Sequence, residues 1–381
     1  MWYMNEEREM LQSMAREIAE TEIKPFLNEM EETGAFPHGI MKKIGESGIL
    51  GLFLPEEVGG CGPRWVDLGV CLEEIGKVSN VVANCIDSQY AGTSLLTMLG
   101  NEKINREVLE PICRGDFVMA TSQCEPAGQT RLHDHKTRFT VDPETNEIVI
   151  NGGKIFTTNA GEAEYYLVCA KTPDPEAFGG EFGYVLVHKD TPGLTVGHIE
   201  HKVGWNGSST GQMFFNNCCV PMENLLLVMD SDEDTTYYGG GTIGALMAAG
   251  ALGSAEGVFE QTLENARSRM HGDQSIFNAY QAMRHTLAEL KMDIELLRGL
   301  VYGVLEGLDR GDPDAIQQSW IAKVKAARIF EHVASECIVL NGGNGVIREN
   351  GIERYFRDAK VNSIGCFALP HIVEMVANHL E

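Results

Sequence analysis

Two features of this chain have the residue types and spacing for chemistry. In the stretch 81–99, Ala83, Asp87, Tyr90 and Ala91 recur at three- and four-residue intervals and so share one face of a helix. One carboxylate and one phenol among small side chains can line a pocket. Helix geometry by itself leaves open the commoner fate of such an aspartate, solvation or capping. The second feature is Asn341-Gly342-Gly343-Asn344-Gly345. It follows a helical stretch, not a strand, so it does not meet the context of a dinucleotide-binding fingerprint. It reads as a tight turn whose backbone comes close to another helix or a phosphate. The sequence has no phosphate-binding GxxxxGK[ST] and no HExxH. Its ten cysteines are scattered without a CxxC, which offers neither a zinc site nor a disulfide framework and suits reduced thiols.

The elements that must position these residues follow from periodicity. Residues 5–114 have helical spacing with loops marked by Gly and Pro. Met10, Leu11, Met14, Ala15, Ile18 and Ala19 make one face of a first helix, and 48–60 reads as a turn between helices. Near Phe117 the period becomes alternating, and β-rich sequence runs to about Asn224. Within it, 147–159 is expected to form a strand, a Gly-Gly turn at Gly152-Gly153 and a second strand. The stretches 165–170 and 184–188 read as further strands of a compact sheet or barrel. From Thr242 onward the chain is helical again, with small residues at Ala251-Leu252-Gly253 and Ala255-Glu256-Gly257 where helices would approach closely. The long amphipathic stretches 287–308 and 315–340 suit a four-helix bundle. The expected fold class is α+β in three parts: a helical domain 1–116, a β domain 117–228 and a helical bundle 229–381.

Bulk composition narrows the partners. With 381 residues, 43% hydrophobic and 22% charged, the chain reads as globular. Thirty Lys and Arg against 55 Asp and Glu give a formal charge of −25, which disfavours nucleic acid. No apolar run approaches the ~20 residues that span a bilayer, and the first residues lack the order of a secretion signal. A cytoplasmic protein is the expectation.

Several ordered segments resemble acyl-CoA dehydrogenases. Residues 48–60 are similar to that family's Gly-Leu-Leu-Gly-Leu-x-x-Pro-Glu-Glu-x-Gly-Gly segment. Ser122-Gln123-Cys124-Glu125-Pro126-Ala127-Gly128 resembles its Thr-Glu-Pro-x-Ala-Gly loop, with Cys124 in place of threonine. Phe156-Thr157-Thr158-Asn159 resembles its Trp-Ile-Thr-Asn strand, with Phe156 replacing tryptophan. Lys202-Val203-Gly204-Trp205-Asn206-Gly207-Ser208, Val220-Pro221 with Glu223-Asn224-Leu225-Leu226, the Gly342 turn and Arg354-Tyr355-Phe356-Arg357-Asp358-Ala359-Lys360 complete the set.

The resemblance implies bound FAD and a CoA thioester substrate. It places Gln123, Cys124 and Thr130 near the flavin or its phosphates, and Phe156 and Thr158 near the reactive N5 edge. Arg269 and Gln281 would contact the FAD of a neighbouring subunit, with Gly342 and Gly343 giving it room. Met270-His271-Gly272-Asp273 departs from the family's Arg-x-x-Phe-Gly pattern at Arg269. Shared FAD sites imply a homotetramer, and an electron-transfer flavoprotein is the implied acceptor. No metal is expected.

The departures bear on mechanism. After Lys360 the family runs to Ile-Tyr-Glu-Gly-Thr, whose glutamate removes a substrate proton; here the matching residues are Ile364-Gly365-Cys366-Phe367-Ala368. The alternative glutamate position of some members falls on Ile243. A thiolate can act as a base if its pKa is lowered, but the chain neighbours of Cys366 are apolar, so Cys366 reads better as a wall. Tyr90, Ile243 and Cys366 are thus expected in the substrate pocket, with Asp87 across it as the base. Family members acting on cyclohexene-carboxyl thioesters use such a displaced aspartate. The resemblance therefore implies dehydrogenation of an alicyclic, already unsaturated acyl-CoA. Decarboxylation, desulfination or enoyl-CoA reduction needs no such base and is a second reading. A catalytically inactive acyl-CoA-binding subunit is a third.

Overall fold

The computed structural model describes residues 1–128, 132–229, 241–378 and 380. The chain begins with helices α1 (Glu6–Ile18), α2 (Leu27–Thr33) and α3 (His38–Glu46), followed by α4 (Trp65–Val78), α5 (Asn80–Leu99) and α6 (Glu102–Cys113). On α1, Ala15 is buried with the following Ala19, and Leu11, Met14 and Ile18 are half-buried. Met10 is exposed, contrary to the expected face. Residues 48–60 form two 3-10 turns, Ile49–Phe53 and Glu56–Val58, between α3 and α4.

Helix α5 starts where the Ser79 hydroxyl accepts from Val82 N, an N-cap that satisfies an otherwise free amide. It ends one residue before Gly100 and is buried along most of its length, which fixes the direction in which Asp87 points.

Eight strands follow: β1 (Met119–Ser122), β2 (Arg138–Val141), β3 (Glu147–Thr158), β4 (Tyr165–Lys171), β5 (Phe182–His188), β6 (Leu194–Ile199), β7 (Thr210–Pro221) and β8 (Leu225–Met229). They form one sheet in the order β6-β7-β3-β2-β4-β5-β8, with β1 parallel to β4. The expected hairpin at Gly152-Gly153 is instead one continuous strand, β3, paired with β7 through two register shifts. The glycines serve close approach: at Gly152, with φ 149°, a Cβ would lie 2.5 Å from Thr137 Cα. The second shift leaves Phe156 with φ 53° and turns its ring outward.

The C-terminal part contains the helices Ile243–Ser268, Gln281–Arg310, Ala315–Asn341, Ile352–Asn362 and Leu369–Asn378. Small residues on the first of these bring it against α4. A Cβ on Gly253 would sit 2.0 Å from Glu73 O, and one on Gly257 2.1 Å from Lys77 O. One core runs through both helical parts, and a second fills the sheet. The segment Arg354 to Lys360 lies within Ile352–Asn362, and its Asp358 carboxylate accepts from Trp205 N at 2.7 Å, tying the bundle to the sheet.

Among the described residues, no helix is long and apolar enough to cross a membrane, and no group of three or more acidic, His or Cys side chains could hold a metal.

Candidate active site

A cavity of about 440 Å3 opens where α5, the sheet and the C-terminal helices meet. From α5 come Asn84, Asp87, Ser88 and Ala91, one helical stripe. The sheet side contributes Thr121, Gln123, Cys124, Phe156, Thr158 and Trp205, and the bundle contributes Ile243, Gly365, Cys366 and His371.

Asp87 is 3% exposed. Its Oδ1 accepts from Asn84 Nδ2 at 3.1 Å, and among the described residues no cation forms an ion pair with it. Burial raises its pKa well above the ordinary aspartate value, opposed by the Lys323 charge and the Asn84 amide. An underpartnered carboxylate facing a cavity is a proton acceptor of raised basicity. Two further polar atoms of the wall, Asn84 Oδ1 and Thr121 Oγ1, are buried without a hydrogen-bond partner. A group entering the cavity can satisfy them.

Among the described residues, the bundle side of the cavity holds no carboxylate. Residues 365–367 cross it with Cys366 in the left-handed region at φ 62°. The chain neighbours of Cys366 are apolar, yet a cation does stand close: Lys323, 43 positions before it, donates from Nζ to Gly365 O and Phe367 O. This corrects the expectation of an uncharged surrounding. Burial still holds the Cys366 thiol up at about 11, with Lys323 pulling it down, so it is a neutral wall at physiological pH. A Cβ on Gly365 would lie 2.6 Å from the Trp205 ring. That indole is fixed by a bond from its Nε1 to Asn80 Oδ1 at 2.8 Å.

The sheet wall is rigidly built. Lys154 Nζ donates to Gln123 O at 3.0 Å and to Glu125 Oε1 at 2.7 Å. Tyr184 OH donates to Gln123 Oε1 at 2.7 Å, and Ile155 N to Cys124 O at 2.9 Å. Phe156, at φ 53° in the left-handed region that bulky residues rarely adopt, is 59% exposed at this wall.

Other expected site residues lie elsewhere. Tyr90 does not line the cavity: its ring packs edge-on 5.1 Å from Trp65 and 6.3 Å from Phe53. It sits at the border of the Asp87 face, and edge-on contact with these two rings holds it there. Arg269, Gln281, Gly342 and Gly343 are exposed at one end of the bundle, where Asn265 Nδ2 donates to Asn341 Oδ1 at 2.9 Å and joins two helix ends. Gly342 and Gly343 have open space around them, while Gly345 meets Ile338 O, so the turn approaches a helix at one end only. Thr130 lies outside the described residues. Lys323 and Asn84 were not foreseen. A lysine flanked at helical spacing by Trp320, Ala327 and Phe330 is a legible sign of a buried charge.

The fold is thus helical, sheet, helical, with a cavity where the three parts meet and a buried carboxylate facing it. Three family models cover the chain: "Acyl-CoA dehydrogenase, N-terminal domain" over residues 5–116, "middle domain" over 120–218 and "C-terminal domain" over 244–366. The short-chain specific acyl-CoA dehydrogenase of Clostridium acetobutylicum is 30% identical over 364 residues, covering 95% of this chain and 94% of that one. Butyryl-CoA dehydrogenase from Megasphaera elsdenii superposes with a TM-score of 0.91 at 25% identity, covering 99% and 98%. A chain solved in work on the electron transferring flavoprotein of Acidaminococcus fermentans gives a TM-score of 0.91 at 28% identity, again covering 99% and 98%. The chain belongs to the acyl-CoA dehydrogenase family. It is an oxidoreductase acting on acyl-CoA, and FAD is its cofactor. The cavity fits that group: the outward Phe156 ring offers an apolar face, and Thr121 Oγ1 offers an unsatisfied polar contact.

Proposed function

We propose that this protein dehydrogenates an alicyclic, already unsaturated acyl-CoA, of the cyclohexene-carboxyl-CoA kind, with Asp87 as the base. The observation that carries the reading is the pairing of two walls. Asp87 faces the cavity buried and, among the described residues, without an ion-pair partner, and the residues at both family glutamate positions, Ile243 and Cys366, are uncharged.

FAD, when bound, supplies the two-electron acceptor that takes a hydride from the substrate. The chain's own residues do the rest. Asp87 accepts the matching proton from a carbon acidified through conjugation with the thioester, so the substrate loses one proton and one hydride and gains a double bond. Asn84 Nδ2 steadies the carboxylate. Ile243, Cys366 and the fixed Trp205 ring form apolar walls against which the acyl group would pack. Gln123, Cys124, Phe156 and Thr158 serve the flavin side, and Arg269, Gln281, Gly342 and Gly343 a neighbouring subunit's FAD in a homotetramer. Electrons leave to an electron-transfer flavoprotein in the cytoplasm.

Enoyl-CoA reduction is the same chemistry reversed, with a protonated Asp87 as donor, and the raised pKa of Asp87 is compatible with it. Anaerobic mixing of the yellow protein with linear, branched and cyclic acyl-CoAs tests the reading. Flavin bleaching by the cyclic unsaturated thioester ahead of the linear ones is expected. Bleaching by saturated linear thioesters alone would refute it.

A further inference from the structure

We propose that Lys323 is a positioning residue of this site: its ammonium clamps the 365–367 loop from behind and supplies the fixed positive charge faced by both Asp87 and Cys366. One of the two readouts below rests on Asp87 acting as the base; the other does not.

The geometry begins with burial. Lys323 has 0% exposure, on the face of Ala315–Asn341 that also buries Trp320, Ala327 and Phe330. A lysine seldom tolerates this unless its charge has partners. Its two hydrogen bonds go to carbonyls, Gly365 O and Phe367 O. These flank Cys366 on either side, and the left-handed φ of 62° at Cys366 accompanies their convergence on one ammonium. Carbonyl dipoles replace part of the lost hydration without cancelling the charge. Among the described residues, no carboxylate lies within ion-pairing distance of Lys323. The field is therefore left to act on Asp87 across the wall and on Cys366 at the turn, and it acts on both.

Among the described residues, the other lysine at the cavity does not duplicate this charge. Lys202, from the sheet side, is drawn off to Ser208 O at 2.6 Å. Tyr184 and Cys124 on the sheet and Cys85 on α5 are held neutral by burial. His371 approaches from Leu369–Asn378, its ring 5.7 Å from Phe367. Lys323 itself is pushed down to about 8 by burial, so it remains mostly charged at neutral pH and loses its influence above that.

Two variants separate charge from tethering. Lys323→Gln keeps a donor for the loop carbonyls and removes the charge; Lys323→Met removes both. In the FAD-loaded protein, the acid limb of kcat/KM with a cyclic unsaturated acyl-CoA should move to higher pH by about one to two units in both variants, because the ionised Asp87 loses a facing cation. Melting of Cys366→Asp beside Cys366→Asn at pH 7, where Lys323 is mostly charged, reads the same charge without turnover. A carboxylate within the field of Lys323 should melt at or above the amide, and melting more than about 5 °C below it overturns the proposal. A Gln variant with the wild-type acid limb overturns it as well. If wild type turns over no such thioester, the substrate reading fails while the melting comparison still decides on Lys323.

Discussion

Two buried acidic side chains, 13 positions apart in the first helical domain, have opposite surroundings. Glu74 on α4 receives Arg16 Nε at 3.0 Å, Arg16 Nη2 at 3.1 Å, Gln12 Nε2 at 2.9 Å and Lys77 Nζ at 3.3 Å. Burial pushes its pKa up, but the Arg16 guanidinium and Lys77 outweigh that and hold it below the usual range. Its neighbour Glu73 is held in the same style, by Arg298 and by Tyr302 OH at 2.6 Å. Among the described residues, Asp87 on α5 receives a hydrogen bond from the Asn84 amide alone, and burial wins. A buried acid with all its lone pairs engaged is a structural tie, because its proton affinity is spent on fixed donors. One left short of partners beside a cavity retains that affinity for a substrate.

The largest expected effect separates these roles. Asp87→Asn should lower turnover by about 10^3-fold or more while FAD remains bound, in the range set by losing a general base. Glu73→Gln should leave turnover per bound flavin within a few-fold. Steady-state rates normalised to flavin content check both.

Breaking the structural cluster should appear instead in stability. Arg298 lies between Glu73 and Glu256 with 7% of its side chain exposed. Arg298→Met takes the guanidinium from both buried carboxylates, leaving Glu73 the Tyr302 hydroxyl and Glu256 the Lys291 ammonium at 2.8 Å, and should cost about 3–5 kcal/mol, measured by denaturant unfolding of the holoprotein.

The pH dependence of stability should have opposite signs for the two acids. The folded-state pKa of Asp87 is raised, so its contribution is fully present below the unfolded value and is lost as pH rises through the folded one. At pH 7 its ionised form is a burden, and Asp87→Asn should raise the melting temperature there and lose that advantage near pH 4. Glu74 is lowered, so its contribution is present above the unfolded value and disappears as pH falls. Glu74→Gln should therefore destabilise at pH 7 and become neutral in acid. The smallest expected effect concerns shape: Gly365→Ala, pressing on the Trp205 ring, should cost about 1–3 kcal/mol and raise KM for a cyclic substrate more than for a linear one.

Much of this architecture was legible from period and punctuation. The helical, β, helical order, the α5 helix and the small residues at Gly253 and Gly257 where helices come close are written locally, whereas α4 as their neighbour is not. Gly152-Gly153 misled because a Gly pair signals a turn as readily as a bulge, and only the Thr137 backbone beside it decides between them. Tyr90 shares helical spacing with Asp87, but the direction of its ring depends on Trp65 and Phe53 from other segments. The site was half legible. Asp87 stood out by its small neighbours, and the vacated glutamate positions by resemblance. Lys323 reaches Gly365 and Phe367 across 42 and 44 positions, a separation that no local pattern spans.

The most direct measurement is a single-turnover reaction of FAD-loaded Asp87→Asn with cyclohexene-carboxyl-CoA, beside the wild type, following flavin absorbance in a rapid-mixing instrument. The wild type should bleach and the variant stay yellow although it still binds the thioester. Bleaching of the variant at the wild-type rate would contradict the assignment of Asp87 as the base.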